Sequence, residues 1–268
     1  YLKKIIMIND DIVITSAFRT PIGSFLGSLS EIKATKLGSI AIKKCLDHSN
    51  LNNDEVDMCF LGQVLQAGCG QNPARQAAIE AGIVKEKTST TINQVCGSGL
   101  SAISLGYSSI KLNDAKIIIA GGQESMSLSP HYINFRKDKE ISEKNLKDTM
   151  LIDGLIDSYN HYHMGMTAEN VAKKFNILRE EQDIFAINSQ KKTNTAIQLS
   201  RFKDEIVPVK INDKDFFNKD EYPRIDTDLE KLSKLKTVFK ESGTVTAGNS
   251  SGINDGAAAV VLMNLKSA

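Results

Sequence analysis

Over the first 125 residues, short apolar runs of strand length alternate with stretches of helical period. Ile12–Phe18 reads as a strand, Thr35–Leu46 as a helix, Val56–Leu65 as a strand and Pro73–Ala81 as a helix. A strand over Thr88–Val95, a helix over Ser98–Leu112 and a strand over Lys116–Ala120 complete the series. Strand–helix alternation with a wholly apolar stretch such as Ile117–Ile119 predicts a largely parallel sheet covered by helices on both faces. From about Ser127 to Lys240 the chain is richer in Lys, Asn and Asp, and strong strand patterns stop. Two helices are predicted there. One has Ala168, Val171, Ala172 and Phe175 on a single stripe behind a cap at Thr167; the other spans Arg179–Leu199 and opens on Glu180, Glu181 and Asp183. The apolar run Ala257–Met263 then supplies one more buried strand, placed to return to the sheet.

The helix after Val95 carries two distinct stripes. Leu100, Ile103, Tyr107 and Ile110 are apolar, whereas Ser98, Ala102, Gly106 and Ser109 have almost no side-chain bulk. Such a bare stripe admits a second backbone at close range, so the helix is expected to be buried on both sides.

Composition narrows the function classes. Of 268 residues, 33 are Lys or Arg and 32 are Asp or Glu, a net charge of +1 that argues against a dedicated nucleic-acid binder. No apolar run approaches the roughly 18 residues of a membrane-spanning helix. The apolar lead Ile5–Ile8 is too short for a signal sequence, and the chain begins with Tyr1 rather than Met. Cys45, Cys59, Cys69 and Cys96 show neither Cys-x-x-Cys pairing nor zinc spacing, which favours a reducing compartment.

Cys96 is the principal chemical candidate. In Asn93-Gln-Val-Cys-Gly-Ser-Gly99 it stands where a strand gives way to a helix, with Gly97 and Gly99 allowing a tight turn and close approach. The helix N-terminus favours a thiolate and offers amides to an oxyanion. A nucleophile and a buried structural cysteine are both consistent with this context. His161 and His163 lack a third metal ligand, and His163 suits the wall of a pocket. Gly121-Gly-Gln-Glu-Ser125 follows a parallel strand, where open α/β sheets place ligands; Glu124 reads as a turn residue bonding nearby amides rather than as a base. The segment Thr244–Ala259, dense in small residues, reads as a loop shaped around a ligand or as a buried crossing between layers.

Five motifs together carry a resemblance. They are Gly70-Gln-Asn-Pro-Ala-Arg-Gln-Ala-Ala78, the Cys96 segment, Ala120-Gly-Gly-Gln-Glu-Ser-Met-Ser127, His163-Met-Gly-Met-Thr-Ala-Glu-Asn170 and Gly243–Ala257. In this order the chain resembles the thiolases, most closely the short-chain acetyl-CoA acetyltransferase (acetoacetyl-CoA thiolase) branch. The resemblance implies an α/β N-terminal half with a mixed, mostly parallel five-stranded sheet. It divides the chain into a first part of the N-terminal domain over 1–126, a mainly helical loop domain binding coenzyme A over 127–243, and a return to the first domain over 244–268. It also implies that the C-terminal catalytic half is absent from these residues, since its Asn-Glu-Ala-Phe, Gly-His-Pro and second-cysteine motifs do not occur, and that the bare helical stripe faces that half.

By the same resemblance Cys96 is the acyl-accepting nucleophile, and Leu155, His163, Met164, Arg224, Phe239, Ala247 and Ser251 hold coenzyme A. His163 and Met164 would narrow the acyl pocket, while Lys231 departs from the serine usual near the nucleotide. Tyr222 with the carbonyls of Ala247, Gly248 and Ser250 corresponds to a potassium site of one branch. No cofactor is required beyond coenzyme A and acetyl-CoA as substrates. The expected activity is condensation of two acetyl-CoA to acetoacetyl-CoA; a degradative 3-ketoacyl-CoA thiolase of broader chain length and a non-catalytic acyl-CoA or lipid binder are the alternatives. A homodimer or homotetramer is expected, without nucleic-acid or membrane partners. The expected location is cytoplasmic, or mitochondrial if a transit peptide has been removed.

Overall fold

A computed structural model describes residues 11–136 and 142–268, so the apolar lead Ile5–Ile8 lies outside the described residues. The first part contains β1 (Ile12–Arg19), β2 (Gly23–Ser24), α1 (Ala34–His48), β3 (Met58–Gly62), α2 (Pro73–Glu80), β4 (Thr88–Ile92), α3 (Ser98–Lys111) and β5 (Ile117–Ser125). A long excursion follows. It holds two-residue strands β6 (His131–Tyr132) and β7 (Lys147–Asp148), a π-helical turn at Met150–Leu155, α4 (Met164–Phe175) and α5 (Arg179–Gln198). After β8 (Val209–Lys210), β9 (Phe216–Phe217) and α6 (Leu229–Ser233), the chain returns as β10 (Asn254–Asn264).

The main sheet has the order β1-β10-β5-β3-β4, with β2 alongside the start of β10. β3 is parallel to β4 and β5, and β10 is antiparallel to β1 and β5. Four of the five principal strands therefore point the same way, with β10 opposed to them. The returning strand sits inside the sheet, which is why Ala257–Met263 is apolar on both sides of the pleat.

Successive side chains of β5 serve opposite layers. Ile119 joins Phe18, Ile42, Leu46, Leu61 and Val261 beneath α1 and α2. Ile118 and Ala120 join Ala102, Ile110 and Leu262 beneath α3. α2 starts where the sequence predicts, because Asn72 caps the Arg75 amide at 3.2 Å and Pro73 supplies a first-turn residue that has no N–H to satisfy.

Three expectations are corrected. The bare stripe of α3 does not face outward: Ser98, Ala102 and Gly106 are buried on the sheet. A Cβ on Gly106 would stand 2.7 Å from a Leu262 methyl, so small size here serves the helix–sheet contact. The outward face carries Leu100 and Tyr107, 74% and 49% exposed. The cap of α4 is His163, whose Nδ1 accepts the Gly165 amide at 3.0 Å, and Thr167 falls inside the first turn. β3 also ends at Gly62 rather than Leu65, because the Glu124 carboxylate takes the Val64 and Leu65 amides and draws the chain off the ladder.

Candidate active site

Cys96 lies at the carboxyl edge of the parallel strands, one residue before Gly97, the N-cap of α3. The turn that presents it is built on Val95, whose φ of +50° places a β-branched residue in the left-handed region. That conformation costs about 1–3 kcal/mol and persists only where neighbours hold it. Here Asn93 Oδ1 accepts the Val95 amide at 3.0 Å, and the Ser98 hydroxyl donates to the Val95 carbonyl at 2.6 Å. The same hydroxyl accepts the Gln94 amide at 2.8 Å. Gly97 keeps an ordinary φ of −83°, so the tight turn expected of the glycines belongs to Val95 instead. Glycine is needed for approach. A Cβ on Gly62 would meet Ser98 at 2.6 Å and the Gly99 nitrogen at 2.8 Å, so a bare Gly62 lets the start of α3 sit on the end of β3.

The Cys96 side chain is exposed, and its amide has no acceptor among the described residues. A cavity of about 440 Å³ opens beside it, walled by Val64, Leu65, Glu124, Met126, Leu155 and Asn254 among others. Burial pushes the Glu124 carboxyl up, the amides of Val64 and Leu65 pull it down, and Asp255 adds to the upward shift. Both Glu124 oxygens are occupied by those amides, as expected of a residue that shapes a turn. The arrangement therefore offers an accessible thiol, a free amide beside it and a largely apolar recess, the requirements for holding an acyl group on sulfur.

The other cysteines differ. Cys45 and Cys59 are fully buried, and burial pushes their thiols up to about 11 and about 12. Burial also raises Cys69. These are structural or masked thiols.

Of the remaining predicted residues, Leu155 shares the Cys96 cavity, whereas His163, Met164 and Phe239 do not line it. Ile156 forms an antiparallel bridge with His163, whose ring stacks on Phe239 with centroids 4.7 Å apart. Because Nδ1 is spent on the Gly165 amide, Nε2 is the ring's available nitrogen. Arg224, Ala247, Tyr222, Gly248 and Ser250 line a second cavity of about 420 Å³ together with Lys231. The Arg224 side chain forms no ion pair among the described residues, whereas Lys231 is engaged with Asp226 and Asp228. Ser251 lines an adjoining cavity that shares Tyr222, Gly248 and Ser250. Among the described residues the carbonyls of Ala247, Gly248 and Ser250 accept no hydrogen bond, and the three residues share the wall of the second cavity with Tyr222.

Sequence reading missed Glu169, Asn249 and Asp255. Glu169 takes the Thr244 and Val245 amides, Asn249 bonds Asp183 and the Thr244 carbonyl, and fully buried Asp255 takes the amide and hydroxyl of Ser127. All three sit inside the quoted motifs, yet each has a partner far away in sequence: Thr244 and Val245 for Glu169, Asp183 for Asn249 and Ser127 for Asp255.

An α/β protein that presents a cysteine at a helix N-terminus, over the carboxyl edge of its sheet and beside an inserted helical excursion, is the class these features define. Residues 12–266 match the thiolase N-terminal domain, and the chain belongs to the thiolase family. It is 50% identical over 260 residues to an acetyl-CoA acetyltransferase of Allochromatium vinosum and 51% identical over 260 residues to one of Rhizobium meliloti. Those alignments cover 95% and 96% of this chain and 66% of each relative, so the chain spans slightly less than two thirds of their length. The crystal structure of the Bacillus anthracis acetyl-CoA acetyltransferase superposes with a TM-score of 0.92 at 38% identity, covering 96% of this chain and 66% of that one.

Proposed function

We propose that this chain supplies the acyl-accepting half of an acetyl-CoA C-acetyltransferase, which condenses two acetyl-CoA reversibly to acetoacetyl-CoA and coenzyme A. The observation that carries the reading is the exposed Cys96 on its braced turn, beside a largely apolar cavity, with its own amide free. The names of the relatives agree with it.

In this reading the Cys96 thiolate attacks the thioester carbonyl of one acetyl-CoA. The carbon–sulfur bond to coenzyme A breaks, that thiol leaves with a proton, and acetyl-Cys96 remains. The Cys96 amide donates to the oxygen that becomes negative during attack. A second acetyl-CoA, deprotonated next to its carbonyl, attacks the acetyl carbon as an enolate; the new carbon–carbon bond gives acetoacetyl-CoA and returns the Cys96 thiolate. Residues 127–243 act as the coenzyme A-binding insertion, in which His163 and Met164 narrow the acyl pocket, Leu155 and Phe239 hold coenzyme A and Arg224 stands at its nucleotide end; Ala247 and Ser251 of the returning segment complete the site. A potassium ion held by Tyr222 and the carbonyls of Ala247, Gly248 and Ser250 would stiffen the loop that carries Ala247 and Ser251. The assembly is a homodimer or homotetramer.

Labelled acetyl-CoA mixed with the full-length protein, followed by peptide mass spectrometry, tests this directly. One acetyl group on the Cys96 peptide, with an equivalent of coenzyme A released, is expected. Label on another cysteine, or none, overturns it.

A further inference from the structure

A separate cavity of about 250 Å³ lies at the start of α1, lined by Lys33, Ala34, Thr35, Gln63, Cys69, Ser125 and Ser129 among others. α1 is 15 residues long, and its N-terminus has no side-chain cap and no acid in its first turn. The positive end of its dipole and its free first amides are therefore uncompensated by the protein. Lys33, the N-cap residue, forms no ion pair among the described residues, and its charge is felt at the Cys69 thiol, which lines the same cavity.

The second observation is independent of the helix. Ser125 is only 7% exposed, and its Oγ has no hydrogen-bond partner; Oγ of Ser129 is likewise buried and unpartnered. Along β5, Ser125 shares a face with Gln123, whose amide would collide with any side chain on Gly38 of α1. Ser125 therefore points toward the α1 layer and this cavity, not toward α3. A buried hydroxyl without a partner costs free energy unless something occupies the space beside it. Of the carboxylates nearby, Glu124 also acts on Cys69 but does not line this cavity, and its oxygens are held by Val64 and Leu65.

We propose that this cavity is a binding site for a small oxyanion of the phosphate or sulfate class, held by the α1 N-terminus, Lys33 and the hydroxyls of Ser125 and Ser129. The donors are all positive or neutral, the set an anion requires. Gln63 and Leu65 belong to the walls of both this cavity and the one beside Cys96, so the two cavities adjoin. The proposal does not depend on the reaction assigned above.

Isothermal titration calorimetry of the full-length protein with inorganic phosphate, at ionic strength held constant with sodium chloride, tests it. One saturable site per chain is expected, weakened at least tenfold in Lys33→Ala and several-fold in Ser125→Ala, and retained in Arg224→Ala. Lys33 is exposed, so its variant removes charge without disturbing the core. Absence of saturable binding means that water alone fills the cavity and overturns the proposal. So does affinity unchanged in either cavity variant, or lost in Arg224→Ala, which would move the anion to the Arg224 cavity.

Discussion

Glu169 Oε1 accepts the amide of Val245 at 2.7 Å across 76 residues of chain. The same carboxylate takes the Thr244 amide at 2.8 and 3.0 Å and the Thr244 hydroxyl at 3.1 Å, so α4 is pinned to the loop that carries Ala247 and Ser251. Burial pushes this carboxyl up, but the Val245 and Thr244 amides, the Thr244 hydroxyl and the Lys240 charge outweigh it and hold it below the ordinary glutamate range. A carboxyl lowered on folding stabilises fully above its unfolded value of about 4.3, and the contribution disappears as pH falls through the lowered folded value. Glu169→Ala is expected to cost about 2–3 kcal/mol at neutral pH by leaving buried donors unmet. Glu169→Gln should lose the part of the acid sensitivity below about pH 4 that this carboxyl causes. Denaturant titrations at pH 7 and at a series of values from about pH 5 down to about pH 2.5 measure both, and wild-type midpoints in the two variants throughout would show that the loop is held by other contacts.

Cys96→Ser should abolish acetyl transfer and leave the fold unchanged. A hydroxyl is far harder to ionise than a thiol, whose ordinary pKa is about 8.5, and a helix N-terminus cannot close that difference. Turnover assay and circular dichroism on the same preparation check both parts; a tenth of wild-type turnover remaining would remove Cys96 from the nucleophile's role.

Arg224→Ala should raise KM for acetyl-CoA by more than it lowers kcat. The guanidinium, without an ion pair among the described residues, lines the second cavity, which shares no residue with the one beside Cys96, so its contact is expected to be equal in the ground and transition states. Steady-state kinetics would contradict this placement if kcat fell while KM stayed the same.

Gly106→Val tests the reassigned stripe of α3. With Leu262 at 2.7 Å and Ile118 at 3.2 Å from the position of a first carbon, a branched side chain overpacks the helix–sheet contact by about 1–3 kcal/mol. Tyr107→Ala, on the outward face of this chain, should change the stability of the same domain by about 0.5 kcal/mol or less. Reversal of that order in urea unfolding would restore the opposite orientation of the helix.

The alternation of strands and helices was legible because apolar period reports burial directly. Ile117–Ile119, Ala257–Met263 and the Pro73 start of α2 all lie where pattern and capping chemistry place them. Orientation was less legible. Ala102 and Gly106 are small whether they face a sheet or a second helix, and only the position of Leu262 decides between them. At the site, Cys96 was visible from its setting, but the strain was not: Val95 looks like the last residue of a strand, and its turn is enforced by Asn93 and Ser98 through bonds that local period does not encode. Glu169 was missed for the same reason, since its partners lie on the far side of the excursion.

The position of β10 has a consequence for the order in which the protein is made. Among the described residues, β1 has β10 as its only partner in the main sheet, and β10 begins at Asn254. During synthesis at about 5–20 residues per second, the first strand therefore waits for more than 230 residues, on the order of tens of seconds, before its edge can be paired. A sheet closed through such distant pairing folds slowly, because a long loop must close before its contacts form. Until Asn254 has emerged from the ribosome, both β1 and the inner edge of β5 are open to strands of other nascent chains, which makes this interval the stage at which aggregation competes with folding.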